Sequence, residues 1–216
     1  AGHELSVHDA FAEAAELAEL LGAGVFQQTV SYAAHFPSEH PACLGALTRN
    51  QKAVRAALEP FDLLVCLGGD LLRMSVYSPL DPVPDGMPVI HISERDWELG
   101  KNHATEMALH ANVKETLAAL LPLLRTRGSG YATRAAQRLA ALAPGNWSTQ
   151  RDKARVAALE AAEEKPVDPR FLMLRIAESL PADAVVVEEA LVSSNSLQSV
   201  LPQRNQNAAG VLEYLA

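Results

Sequence analysis

Hydrophobic residues along this chain either recur with the helical period or form short continuous runs, and the change between these two patterns predicts its elements. Between Ser6 and Leu21 the apolar positions fall on one face of a helix, with Ser6 as N-cap and Gly22 as the end. A short strand follows at 24–27. The apolar run 61–67 predicts a second strand, without polar alternation, as is typical of a parallel sheet covered by helices on both faces.

The following segments continue this alternation. We predict a helix at 47–58 capped by Thr48, an irregular excursion at 71–87, strands at 87–93 and 108–111, and a helix from Asn112 to about residue 124. Strands that alternate with helices at this spacing indicate βαβ units. The predicted fold class is therefore α/β, with a Rossmann-like parallel sheet and flanking helices over residues 1–125.

The second half of the chain has a different character. Residues 126–166 are rich in Ala, Arg and Glu and predict a helical linker without a second core. Asp168 then caps a helix at 169–180, and a buried-type strand is predicted at 184–188. One helix and one strand cannot bury both of their faces, so residues 167–216 are expected to begin a partial second α/β unit.

Composition narrows the classes of function. Hydrophobic residues make up 49% of the chain, and a net charge of −8 with a pI near 5.4 argues against nucleic acid as a partner. We find no run of 18 apolar residues and no leader, so we expect a cytoplasmic protein that does not enter a membrane. Cys43 and Cys66 lie in unlike contexts, a loop and a strand, so no disulfide is expected.

The loop 36–45, FPSEHPACLG, holds the main candidate for chemistry. Pro41 restrains the backbone of His40, and the adjacent Glu39 would favour a protonated imidazole, which suits proton transfer near neutral pH. A surface histidine without a chemical role remains the alternative. His35 lies five residues earlier, but two histidines without a carboxylate at fixed spacing do not predict a metal site.

A second candidate follows the predicted strand 61–67. Gly68-Gly69-Asp70 would lie at the carboxyl edge of the sheet, where α/β folds bind nucleotides. The spacing is not GxGxxG and no helix opens directly afterwards, so the motif is a poor phosphate cradle. Arg73 and Tyr77 follow on the irregular excursion and either line a pocket or face water.

The order of these segments resembles the central domain of thiamine-diphosphate-dependent enzymes. The segments are LAELLGAGVF, FPSEHPACLG, FDLLVCLGGDLLR, MPVIHISERDWELGKN and HANVKETLAALLPLL. Within that family the chain is most similar to benzoylformate decarboxylases, through the Phe-Pro-x-x-His-Pro loop and the spacing of Gly69, Arg73 and Tyr77. The segment VDPRFLMLRIAESLPADAVVVEEALVSS resembles the linker helix and first strand of the family's diphosphate-binding domain.

The resemblance implies an intact enzyme that decarboxylates a small 2-oxo acid with thiamine diphosphate and Mg²⁺, as a homodimer or homotetramer. It implies proton transfer to cofactor-bound intermediates by His40 and a substrate pocket at Arg73 and Tyr77. The residues implied at the cofactor diphosphate are Glu189, Ser193 and Ser194.

Two parts of such an enzyme have no counterpart in this sequence: the pyrimidine-binding domain with its glutamate and the Gly-Asp-Gly…Asn metal motif. We therefore expect a fragment that lacks the first strand of the central domain, is inactive alone and binds no cofactor. An acetolactate-synthase-like carboligase remains an alternative, although no flavin signature supports FAD. The second alternative is a stand-alone Rossmann-like module that binds a nucleotide or a partner chain.

Overall fold

The computed structural model describes residues 1–29, 33–75, 77–181, 184–188 and 194–204, together with the backbone of 210–211. The chain forms parallel sheets flanked by helices, so the predicted α/β class is confirmed.

Two groups of parallel strands make up the first part of the chain. Strand β1 (Val25–Gln27) pairs with β2 (Cys43–Ala46). Strand β3 (Leu64–Leu67) pairs with β4 (Val89–Ser93), which pairs with β5 (Met107–His110). Ala1 and Gly2 lie between the groups, since the Ala1 amine donates to the carbonyl of Phe26 (2.8 Å) and the Gly2 amide donates to that of Leu67 (2.9 Å).

Helices cover both faces of these strands. Helix α1 (His3–Val7), α2 (Phe11–Leu21) and α4 (Val113–Arg125) contribute to one apolar core, and α3 (Gln51–Leu58) contributes to another. Along β3, Val65 and Leu67 join the first core, whereas Leu64 and Cys66 join the second. This alternation explains the continuous apolar run of the strand, because neighbouring residues are buried on opposite faces.

The second part of the chain is mainly helical. Its helices are α5 (Ser129–Leu142), α6 (Trp147–Glu160), α7 (Pro169–Ser179) and α8 (Ser194–Val200). The short strand β6 (Val187–Glu188), between α7 and α8, pairs in parallel with β7 (Gly210–Val211), which follows α8. Ala158, Leu174 and Val200 form a third buried cluster among α6, α7 and α8. The predicted linker therefore does contribute to a second packed unit, contrary to our expectation.

Local polar groups explain several helix ends. The Asn112 side chain accepts from the amide of Glu115 at the start of α4. Asp168 accepts from the amide of Arg170, as its predicted N-cap role requires. The N-terminal prediction was wrong, because Ser6 lies inside α1 and its hydroxyl donates to the carbonyl of Ala34, while α2 begins at Phe11. Asn50, not Thr48, caps α3.

Two strand predictions also differ from the structure. Residues 36–45, which we predicted as a loop, end in β2. Gly45, at a φ of 87°, lies inside that strand. The strand predicted at 184–188 is shorter, and Val185 and Val187 are 65% and 63% exposed rather than buried. No helix among the described residues is long and apolar enough to cross a membrane.

Candidate functional site

The carboxyl edge of β3 and β4 carries a buried network of charged groups. Glu4, only 5% exposed at the start of α1, accepts from the Ser93 hydroxyl (2.6 Å) and from the Glu94 amide (3.1 Å). Arg95 approaches Glu4 (3.4 Å) and pairs with Asp70 (2.8 Å). The network ties α1 to the ends of both strands.

Sequence reasoning placed Asp70 at this edge but missed Glu4 and Arg95. Arg95 could have been placed at this edge from its position shortly after a predicted strand, because parallel strands end at one edge of a sheet. Nothing in the pattern singled out Glu4, because its burial depends on how α1 meets the strand ends.

Gly68 and Gly69 pack closely against Glu4 and Gly2, at the start of α1. A side chain on Gly68 would overlap Glu4, and one on Gly69 would meet the Cα of Gly2 at 3.0 Å. Gly68 also has a φ of 60°, which a residue with a side chain rarely adopts. The two glycines therefore serve close packing, which weighs against the nucleotide-binding interpretation of this motif.

The proposed pocket residues lie just beyond the same edge. Arg73 pairs with Asp70 (3.4 Å), and its carbonyl accepts from the Thr29 hydroxyl (2.8 Å). Tyr77 is 89% exposed, so its ring faces solvent in this structure. Arg73 and Tyr77 are thus accessible, as a pocket would require, but Tyr77 lines no enclosed space here.

His40 lies at the opposite, amino edge of the strands, since it precedes β2 by three residues. Its Nδ1 accepts from the Ala42 amide (3.1 Å), which leaves Nε2 to donate to Glu19 on α2 (3.2 Å). The ring also meets Phe36 edge-on, with centroids 5.2 Å apart. These contacts hold the imidazole in place. Among the described contacts, none joins His40 to Arg73 or Tyr77.

The loop that carries His40 is held from the far end of the chain. Ser38 and Gln203 exchange two hydrogen bonds of 2.9 Å, and Arg204 pairs with Glu39 at 2.7 Å. Hydrogen bonding from Arg204 lowers the pKa of Glu39. The helical part of the chain therefore determines the position of this loop.

His35, His91 and Cys43 are buried, and Cys66 is partly buried. Burial lowers the pKa of His35 to about 3, helped by the nearby charges of the Ala1 amine and His3. Burial also lowers the pKa of His91, whose Nε2 lies 3.1 Å from the carbonyl of Gly69. Cys43 and Cys66 are free thiols, as predicted, and burial raises the pKa of each to about 11.

The described residues do not form a site that fits thiamine diphosphate. Glu189 and Ser193 lie outside the described residues, and Ser194 begins α8 with its side chain not described. The space beside the two glycines after β3 is occupied by Glu4 and Gly2. The carboxylates of Glu4 and Asp70 at that edge would also repel a diphosphate. Within the described ranges there is also no group of three or more His, Cys, Asp or Glu that could hold a metal.

Parallel strands with helices on both faces define a Rossmann-like domain, and comparison identifies its family. Residues 1–120 match the family model described as "Thiamine pyrophosphate enzyme, central domain". The chain therefore belongs to the thiamine pyrophosphate enzyme family. No curated protein matches the sequence significantly.

Solved structures share the fold over almost the whole chain. One is the thiamine diphosphate-dependent 4-hydroxybenzoylformate decarboxylase of Rhodococcus jostii RHA1 (21% identity, TM-score 0.73). Another is a putative thiamin diphosphate-dependent enzyme from Mycobacterium smegmatis (22%, 0.76), and a third is the benzoylformate decarboxylase of Polynucleobacter necessarius (18%, 0.77). Each match covers 97% of this chain but only 36–37% of the solved one, so the chain spans about a third of those proteins.

Proposed function

We propose that this chain is part of a thiamine-diphosphate-dependent enzyme that decarboxylates a 2-oxo acid without oxidising it. The observation that carries the proposal is the match of residues 1–120 to the central domain of the family. The fold likeness to two aryl-2-oxoacid decarboxylases supports the choice of reaction. Thiamine diphosphate and Mg²⁺ are the cofactors that this proposal requires, and a homodimer or homotetramer is the assembly we propose.

Within that enzyme we assign three parts to the chain. Residues 1–125 are the central domain, 126–166 the connecting helices, and 167–216 the beginning of the diphosphate-binding domain. The packing of α6 against α7 and α8 supports a role for the connecting helices as the base on which the last part assembles.

The proposed roles of individual residues follow from the family resemblance. We propose Glu189, Ser193 and Ser194 for the cofactor diphosphate and Arg73 and Tyr77 for the substrate pocket. Proton transfer by His40 stays a prediction, and its bonds to Glu19 and Ala42 favour a structural role in the arrangement described here.

The test is to express the complete reading frame that contains this chain and to measure CO₂ release from benzoylformate with thiamine diphosphate and Mg²⁺. We expect turnover by the complete protein and none by residues 1–216 alone. Flavin absorbance with acetolactate formation, and no decarboxylation to an aldehyde, would instead identify a carboligase.

The role of His40 is separable in the same assay. His40→Asn keeps a hydrogen-bond acceptor near Ala42 but removes the titratable ring. A structural role predicts an unchanged pH profile of kcat with a lower Tm. Proton transfer predicts a large loss of kcat at an unchanged Tm.

A further inference from the structure

Strand β5 is an outer strand of its sheet within the described part of the chain, because it pairs with β4 on one side only. Its surroundings leave it open: Met107 is 48% exposed, and Glu106, Ala108 and His110 are exposed as well. Native proteins often protect such an edge with proline, lysine or a bulge. The segment 104–112 contains neither proline nor lysine, and the register of β5 with β4 has no shift.

The hydrogen bonds to β4 show which residues of β5 turn their backbone outward. The Ala111 amide, directly after β5, donates to the carbonyl of Ser93 in β4 (3.2 Å). Successive residues of a strand bond in opposite directions, so every second residue before Ala111 within β5 also faces β4. The backbones of Ala108 and His110 therefore face away from the sheet, where a further strand could pair with them.

We propose that this edge pairs in antiparallel orientation with β5 of a second copy of the chain, about a two-fold axis at Ala108. The Ala108 residues of the two copies exchange their N–H···O bonds, and each His110 amide donates to the carbonyl of Glu106 in the other copy. Glu106 contributes only its carbonyl, because its amide already donates to Val89 (2.9 Å). The contact joins the two sheets into one and is independent of the reaction proposed above.

Side-chain charge selects this register. With the axis at Ala108, Glu106 of one copy lies opposite His110 of the other on the same face of the sheet, so an acidic side chain meets a basic one at both ends of the contact. An axis at Glu106 or at His110 would instead place two identical side chains opposite each other. Charge complementarity thus favours a second copy in one particular alignment.

The other face of β5 adds an apolar contact. Met107 is the register partner of Ile90, which packs against the first core together with Leu109, so Met107 lies on the face of that core. In the proposed register Met107 lies opposite Leu109 of the second copy, in a pair without hydrogen bonds, where side chains approach most closely. Pairing therefore covers the exposed Met107 and extends the first core across the contact.

Sedimentation velocity of the 216-residue chain, from about 10 to 1000 µM, tests the proposal. We expect a reversible dimer in the upper part of this range, because the paired strand is short. Glu106→Lys places lysine opposite histidine, and His110→Glu places glutamate opposite glutamate, so each variant alone should dimerise at least about fivefold more weakly. An equimolar mixture of the two variants has opposite charges at both ends and should form heterodimers as tightly as the parent forms its dimer.

Ala108→Pro tests the backbone pairing itself. Its amide faces outward, so proline removes no bond to β4 but cannot donate to a second copy. We expect a monomer at every concentration, with Tm within about 3 °C of the parent. Ala108→Val is the matched control, since it keeps the donor and should dimerise like the parent.

Two results would overturn the proposal. A parent chain that stays monomeric up to about 1000 µM would leave the edge of β5 to a strand of a different protein. A dimer that forms equally well in Glu106→Lys, His110→Glu and Ala108→Pro would show that the copies meet through another surface.

Discussion

Replacement of Glu4 by alanine tests whether the buried network at the strand ends stabilises the fold. Alanine keeps the Cβ that packs against Gly68 and removes the Cγ methylene and the carboxylate. The Ser93 hydroxyl, which is fully buried, then loses its acceptor, as does the partly buried amide of Glu94. Glu4→Ala therefore removes the buried acceptor together with one methylene, whereas the companion Glu4→Gln described below keeps the methylene.

The expected loss follows from the number of donors left without a partner. A buried donor without an acceptor costs about 1–3 kcal/mol, and two are created here. The Arg95 contact is long, and Arg95 keeps Asp70 at 2.8 Å, so its charge stays paired. We expect a loss of about 3 kcal/mol in the free energy of unfolding, or about 6–12 °C in Tm for a chain of this size.

Urea unfolding followed by circular dichroism measures this loss, with two companion variants. Glu4→Gln keeps one oxygen acceptor and should lose about half as much, roughly 1–2 kcal/mol. Glu163→Ala removes an exposed carboxylate and should stay within about 0.5 kcal/mol of the parent. If Glu4→Ala and Glu163→Ala differ by less than about 1 kcal/mol, the network does not stabilise the fold as argued.

Three further predictions use groups described above. The unfolded chain protonates His35 from about pH 6.5 downward, but the folded chain does so only near its pKa of about 3, so stability should fall by about 1.4 kcal/mol per pH unit below pH 6. Urea titrations at pH 7.5 and 5.0 should show a smaller change for His35→Gln; an equal change would contradict this. Cys43, which is buried and has a pKa of about 11, should react with an aromatic disulfide reagent at pH 8 only in urea, and rapid labelling of Cys43 in the native chain would contradict its burial. Glu39→Gln should cost less than about 1 kcal/mol because its pair with Arg204 is exposed, and a larger loss in urea unfolding would contradict that estimate.

Apolar patterning predicted several elements of the first half because these are buried along a clear face. The strand at Leu64–Leu67 and the helix capped by Asn112 are examples. Strand β2 was missed because Cys43–Ala46 is short and contains Gly45, so its strand character depends on pairing with β1 rather than on local propensity.

The arrangement of the candidate site could not be read from local patterns. His40 and Gly68 both flank strands, but only the pairing shows that they lie at opposite edges of the sheet. The burial of Glu4 depends on three segments that are far apart in sequence. Contacts of this kind are set by tertiary packing, which periodicity within one segment does not report.

The close fit of Gly2 against Gly68 and Gly69 restricts how this part of the chain can diverge. Any side chain at these positions would displace α1 from the strand ends. No single substitution at them is therefore expected to be neutral. In a saturation library selected for folded protein, glycine should be the only residue recovered at Gly2 and Gly68. The same helix offers Val7, more than half exposed, as a position where substitution is free.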